Sequence, residues 1–283
     1  MRLIYTLLLV GVTAVWGWTF VVVQDAINAY SVLGFLALRF VLAGAVLAPF
    51  LAPRMTRRTL FVGLGIGLTL ALGYLFQTWG LLYTTPTNSG LITGLFVVFA
   101  PLTAWALFKV RIPLFIIGAV VLSLSGMVLL AGQSASLGRV GDALTVVCAA
   151  GLGAHIALLS RYAPEHDAGA LALAQMLSMA GLFSVMWMAA PGPITAPPVE
   201  VWFAIALTGL VASAGAFYVQ TTVQQRIPAA RAAIILTMEP VFAAIFGFWL
   251  AGDRLSPIQL AGAALILSAL FVGEVIPVLR RGK

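Results

Sequence analysis

Apolar stretches of about twenty residues alternate with short polar turns along the whole chain, at 3–23, 31–51, 59–80, 88–108, 112–131, 141–161, 169–190, 200–221, 230–250 and 257–277. A helix rises about 1.5 Å per residue, so each stretch matches the roughly 30 Å hydrocarbon core of a bilayer. The pattern predicts an all-α polytopic membrane protein of ten transmembrane helices. The turns between them (APRMTRR, TTPTN, VRIP, GQSASLGR, APEHDAG, PGPITAPP, AGDRLSP) carry the Gly, Pro and Asx residues that stop helices. None is long enough to separate independent domains. The first stretch lacks a small-x-small cleavage site and reads as a retained span.

The pattern repeats internally. Gln77-Thr78 returns as Gln220-Thr221, 143 positions later, with an aromatic three residues before each glutamine, Tyr74 and Phe217. Further matches follow in order: Trp18 with His155 and Gly44 with Gly181 at 137, Pro101 with Pro240 at 139, and Pro113-x4-Gly118 with Pro257-x4-Gly262 at 144. Two repeats, 1–133 and 134–283, therefore make up one membrane domain. Five spans per repeat is an odd number, so the second repeat enters the bilayer upside down.

Composition agrees: 62% of the 283 residues are hydrophobic and 8% charged, against about 25% charge in soluble domains. The net charge of +7 is not a phosphate-binding face, because the basic residues sit at the ends of apolar stretches. With the N-terminus inside, twelve Lys and Arg fall on the cytoplasmic side, Arg139 and Arg254 fall outside, and Arg39 lies within a span. The positive-inside rule then puts both termini in the cytoplasm. The expected partners are the lipid bilayer and a small-molecule substrate, with no nucleic acid and a monomer or homodimer as the assembly. A single cysteine, Cys148, excludes an intrachain disulfide and reads as a packing residue. GLGIG at 63–67 lacks the Lys-Ser/Thr of a nucleotide loop and reads as a close-packing helix face. With two histidines and no ligand-spaced cluster, no metal, no cofactor and no catalytic residues are expected.

The polar residues inside the spans are the candidate site. Glu239 lies about 12 Å into its span, near the midplane, where an ionisable group is costly unless paired or hydrated. It reads either as a functional, proton-exchanging carboxyl or as a structural one bonded to backbone freed by Pro240. Arg39 reads as a carboxylate clamp, or as a structural residue binding helix ends or Glu239. Tyr74, Gln77, Thr78 and Leu81 share one helix face, as do Ser213, Phe217, Gln220, Thr221 and Gln224. These stripes face a cavity or act as glue between helices. Trp16, Trp18, Trp79, Tyr83 and His155 are aromatic walls or interfacial anchors, and Gln175 completes the cavity set. Pro101 and Pro240 each free a carbonyl four residues back, at Val97 and Leu236, and are candidate hinges.

Trp16-Gly17-x-x-Phe20, Arg39-Phe40, Glu239-Pro240 and AGDRLSPIQLAGAALILSA together resemble the EamA branch of the drug/metabolite transporter superfamily, with Asp253 where family members more often carry Glu. The resemblance covers essentially the whole chain. It implies a secondary transporter of the bacterial inner membrane, with spans 1–4 and 6–9 around a central cavity and spans 5 and 10 to one side. The chain is similar to the YddG-type amino-acid exporters within that branch. Only Arg39 is basic at depth, so neutral or zwitterionic solutes, amino acids first, fit better than nucleotide sugars. Multidrug export is the alternative, and a non-transporting membrane protein a distant one.

Overall fold

The computed structural model describes residues 2–84, 86–131, 140–250 and 256–279. They form helices α1 (Arg2–Ala29), α2 (Val32–Leu51), α3 (Arg57–Gly80), α4 (Pro86–Thr93), α5 (Phe96–Phe108), α6 (Leu114–Ala131), α7 (Val140–Tyr162), α8 (Ala168–Ala189), α9 (Val199–Leu207), α10 (Ala216–Gln224), α11 (Ala229–Leu236), α12 (Met238–Leu250) and α13 (Pro257–Leu279). No strand occurs among these residues. Side-chain oxygens start three of the helices: Ser31 accepts from the Gly34 N–H, Thr56 from that of Thr59, and Asp167 from that of Ala170. Asp253, Arg139, Arg254, Ser136 and the junction between the two expected repeats lie outside the described residues.

Eight stretches among the described residues are long and apolar enough to cross a bilayer: Leu3–Ala29, Val32–Arg54, Arg57–Gly80, Ser89–Phe108, Val140–Glu165, Ala168–Ala189, Val199–Gln224 and Ala229–Phe246. Two shorter apolar stretches, Leu114–Leu129 and Pro257–Ala269, belong to α6 and α13, which pack on each other. The chain is a multi-pass membrane protein.

Three of the expected spans are not plain helices. The fourth is interrupted at Gly94-Leu95, between α4 and α5, and the ninth at Thr237, between α11 and α12. These interruptions keep the offset of 143 shown by the glutamine pair, since Gly94 and Thr237 are that far apart. Pro101 and Pro240 do not keep it: Pro101 lies well inside α5, whereas Pro240 follows its break closely. The prolines are thus not equivalent, and the first break owes nothing to Pro101. Gly94 lies at that break in a crowded place; a Cβ there would strike the Met127 sulfur of α6 and meet the Pro240 Cγ at 3.3 Å. The eighth span contains a π-helical segment, Thr208–Gly215, between α9 and α10.

Exchanging the two sets of helices leaves the packing pattern unchanged. α3 lies on α7 as α1 lies on α9, the π segment and α10; α4 and α5 lie on α7 as α11 and α12 lie on α1; α2–α8, α5–α11 and α6–α13 pair across. The crossings recur in atomic detail. A Cβ on Gly17 of α1 would meet the Ala243 nitrogen of α12 at 2.7 Å, and one on Gly153 of α7 would meet the Ala100 nitrogen of α5 at 2.9 Å. Ala100 and Ala243 are again 143 apart. Only glycine allows backbones this close.

Candidate functional site

Between the two sets lies a small central cavity. α1 brings Trp16, Thr19, Phe20 and Val23 to it; α2 brings Arg39; α3 brings Leu70, Tyr74, Gln77 and Thr78; α7 brings Leu152, His155 and Ile156; and α10 brings Phe217 and Gln220. Phe96, Leu236 and Glu239 flank the two helix breaks and complete the wall with Leu81. Its volume is about 50 Å³, enough for one or two waters and far below the roughly 300–1,000 Å³ of ligand pockets. As it stands the site has no room for a solute.

The π segment sets the polar geometry. Its Ser213 Oγ accepts from Arg39 Nε at 2.8 Å, and its Ala212 carbonyl accepts from Trp16 Nε1 at 2.8 Å. Extra-wide π turns aim such groups sideways in a way a regular helix does not. Arg39 also donates to the Tyr74 hydroxyl at 3.3 Å and stacks over the Tyr74 ring at 4.7 Å. It is 3% exposed and forms no ion pair with Glu239, so that reading of Arg39 is set aside. Glu239, 5% exposed, has no ion-pair partner among the described residues. Insertion scales put an ionised arginine at the bilayer centre at about 2.5–3.5 kcal/mol, so Arg39 and a carboxyl kept apart in one cavity leave both free to meet a ligand or water.

Gln220 adds an acceptor. Gln224 donates from Nε2 to the Ile156 carbonyl at 2.9 Å, and a carbonyl only accepts, so its amide orientation is settled. Its Oε1 must then receive Gln220 Nε2, at 2.8 Å, which leaves Gln220 Oε1 buried with no partner among the described residues. An orphaned buried acceptor costs about 1–3 kcal/mol until a donor arrives. His155 is held in the same manner: Gln175 donates to the Leu171 carbonyl and accepts from His155 Nε2 at 2.7 Å. Phe217 is the aromatic hub, with ring centroids 5.3 Å from Trp16, 6.0 Å from Tyr74 and 5.9 Å from His155.

Ten of the residues singled out in the sequence line this cavity: Trp16, Arg39, Tyr74, Gln77, Thr78, Leu81, His155, Phe217, Gln220 and Glu239. Trp18, Tyr83, Gln175 and Thr221 do not. Trp18 packs on Phe246 of α12, and Tyr83 is exposed beyond the end of α3. Gln175 and Thr221 are bonded to each other one layer behind, orienting His155. Pro101 lines a separate groove at the end of α5. Thr19, Phe20, Val23, Leu70, Phe96, Leu152, Ile156 and Leu236 were missed; only the W-G-x-x-F motif marks one of them, Phe20.

The comparisons decide the family. A model of the EamA-like transporter family matches twice, over residues 3–132 and 139–273. The chain belongs to the EamA-like transporter family. Within it, an uncharacterised transporter of Archaeoglobus fulgidus is 34% identical over 276 residues, covering 96% of this chain and 86% of that protein. A solved crystal structure shares the fold, with a TM-score of 0.78 at 20% identity over 96% of this chain and 98% of that one. This EamA-like protein is a membrane transporter whose polar cavity lies between its two matched regions.

Proposed function

We propose that the protein is a secondary transporter for zwitterionic small solutes, amino acids with neutral or aromatic side chains first among them, moved out of the cell by alternating access. One observation carries this reading: Arg39 and Glu239 share the cavity without pairing. A substrate carboxylate fits the planar guanidinium that Ser213 and Tyr74 hold in place, an ammonium fits Glu239 and the orphan Gln220 oxygen, and the Trp16–Phe217–Tyr74 cluster takes the side chain.

The same reading has ten spans in two inverted repeats, 1–133 and 134–283, with both termini in the cytoplasm of a bacterial inner membrane. The doubly matched family model, the exchange-invariant packing and the paired breaks support it. Gly94-Leu95 and Thr237 act as the hinges, with Pro240 buttressing the first. No nucleotide loop occurs in the sequence, so a solute gradient is the driving force. The experiment is counterflow in proteoliposomes against amino acids, nucleosides and organic cations. Exchange of neutral amino acids is expected, with loss of exchange in Arg39→Leu and weakened exchange in Glu239→Gln. Exchange of organic cations alone, indifferent to Arg39, would mean a multidrug exporter.

A further inference from the structure

The two ends of the bundle differ in charge. Arg54, Arg58, Arg161 and Arg226 cluster at the end where α2, α7 and α10 finish, while among the described residues the opposite end carries Asp25, Asp142 and Glu200 and no Lys or Arg. At the basic end a groove of about 450 Å³ runs between α5, α6, α7 and α11. Pro101 and Phe108 form its α5 side, two turns or about 10 Å apart along the helix. Ala229 begins the facing wall on α11. The lining is chiefly apolar, yet Arg111, Arg161 and Arg231 all reach it.

This groove adjoins the membrane-facing surface. Leu102, Trp105, Leu107 and Leu114, on the helices that bound it, are all exposed apolar side chains. Lys109 lies over the Trp105 ring at 5.7 Å, an aromatic–cation pair suited to headgroup depth. Arg161 keeps one nitrogen on Glu165 at 2.9 Å. Among the described residues Arg111 has neither an ion pair nor a hydrogen bond from its side chain. Three arginines lining an apolar trough match a molecule that is anionic at one end and hydrocarbon at the other.

We propose that this groove binds an anionic phospholipid, with the headgroup phosphate among Arg111, Arg161 and Arg231 and an acyl chain in the trough between α5 and α11. Charge complementarity selects an anionic head, and the exposed apolar rim selects a lipid over a soluble anion. The site differs from the central cavity and does not depend on the transported solute. Because α5 and α11 each adjoin a helix break, the lipid wedges between the two elements that must shift when the cavity opens.

Quenching of tryptophan fluorescence in vesicles with brominated acyl chains tests this, comparing phosphatidylglycerol with phosphatidylcholine at matched mole fractions. Wild type should bind phosphatidylglycerol preferentially, and that preference should fall about fivefold in Arg111→Gln and about fivefold again on adding Arg231→Gln. Ala230→Phe fills the groove but keeps the arginines, and should abolish the preference too. Arg111 is exposed, so its variant tests the proposal even where Ala230→Phe misfolds. Equal quenching by the two lipids in wild type, or an unchanged preference in Arg111→Gln, overturns it. Loss of the preference on adding millimolar glycerol phosphate also overturns it, because the site would then take a soluble phosphate.

Discussion

The orphan oxygen of Gln220 gives the sharpest test of a single residue. Gln220→Leu removes the acceptor and releases Gln224, whose other bonds to Ile156 and Ser160 hold α10 on α7. Counterflow should fall at least tenfold while purified yield stays near normal; loss of yield with unchanged specific exchange would make Gln220 structural glue. His166, between α7 and α8 at the basic end, gives a pH test. Burial, and then the Arg58 guanidinium, hold it below its ordinary value of 6.5, with Glu165 opposing. The folded protein thus favours neutral His166. Its contribution to stability is present above pH 6.5 and is lost as pH falls from there through the folded value. Between pH 7 and 5 the thermal midpoint should drop more in wild type than in His166→Gln. Polar residues such as Gln77 and Gln220 were legible in the sequence because an amide within an apolar run must find a partner. Leu70, Phe96 and Leu236 were not, since lipid is as apolar as a protein interior and hydropathy does not say which way a leucine faces. Gln175 misled for a related reason: it found its partner in His155 rather than in the cavity.

Among the elements, the α3–α8 crossing separates packing glycines from incidental ones. A Cβ on Gly63 would strike Ala174, and one on Gly67 would lie 2.5 Å from Ser178 Cβ, whereas Gly65 faces open space. Gly63→Val should lower stability by about 1–3 kcal/mol through overpacking, while Gly65→Ala should leave it unchanged or slightly raised, as read from thermal unfolding in detergent. The glycine run was legible as a packing face because nothing else explains three small residues in an apolar span. The helix breaks were less so. Prolines draw attention in a sequence, but Pro101 sits inside a continuous helix, while the actual break falls at Gly94, where Met127 and Pro240 from other helices crowd the backbone. The π turn of Thr208–Gly215 likewise depends on α2 lying close, with the Arg39 carbonyl 3.0 Å from where a Gly209 Cβ would be.

For the whole molecule, the ends are closed unequally. At the basic end Arg58 and Arg161 both reach Glu165, at 2.6 and 2.9 Å, and Gln225 donates to the Ala163 and His166 carbonyls. At the other end a vestibule of about 670 Å³ opens beside Tyr30, Trp79 and Trp187, and Gln24 reaches the Leu81 and Thr84 carbonyls beneath it. On the proposed orientation the latched end is the cytoplasmic one. Cysteine placed at Thr195 should react with an impermeant maleimide from outside, and cysteine at Thr56 or His166 only after permeabilisation; the native Cys148 is fully buried and adds no background. Labelling of Thr56→Cys in intact cells would reverse the orientation. The charge asymmetry was legible from the sequence, since lysine and arginine counts report it directly. Arg58–Glu165, Gln225–Ala163 and Gln24–Leu81 were not, because each joins residues far apart in the sequence.

A site with room for only a water or two also governs how fast a solute can be seen to bind. A solute does not fit a cavity of this size, so every capture waits for the site to widen, and apparent affinity is diluted by the fraction of molecules widened at any instant. The observed association rate should therefore rise with solute concentration and then level off at the opening frequency, where an open-mouthed receptor would show a straight line.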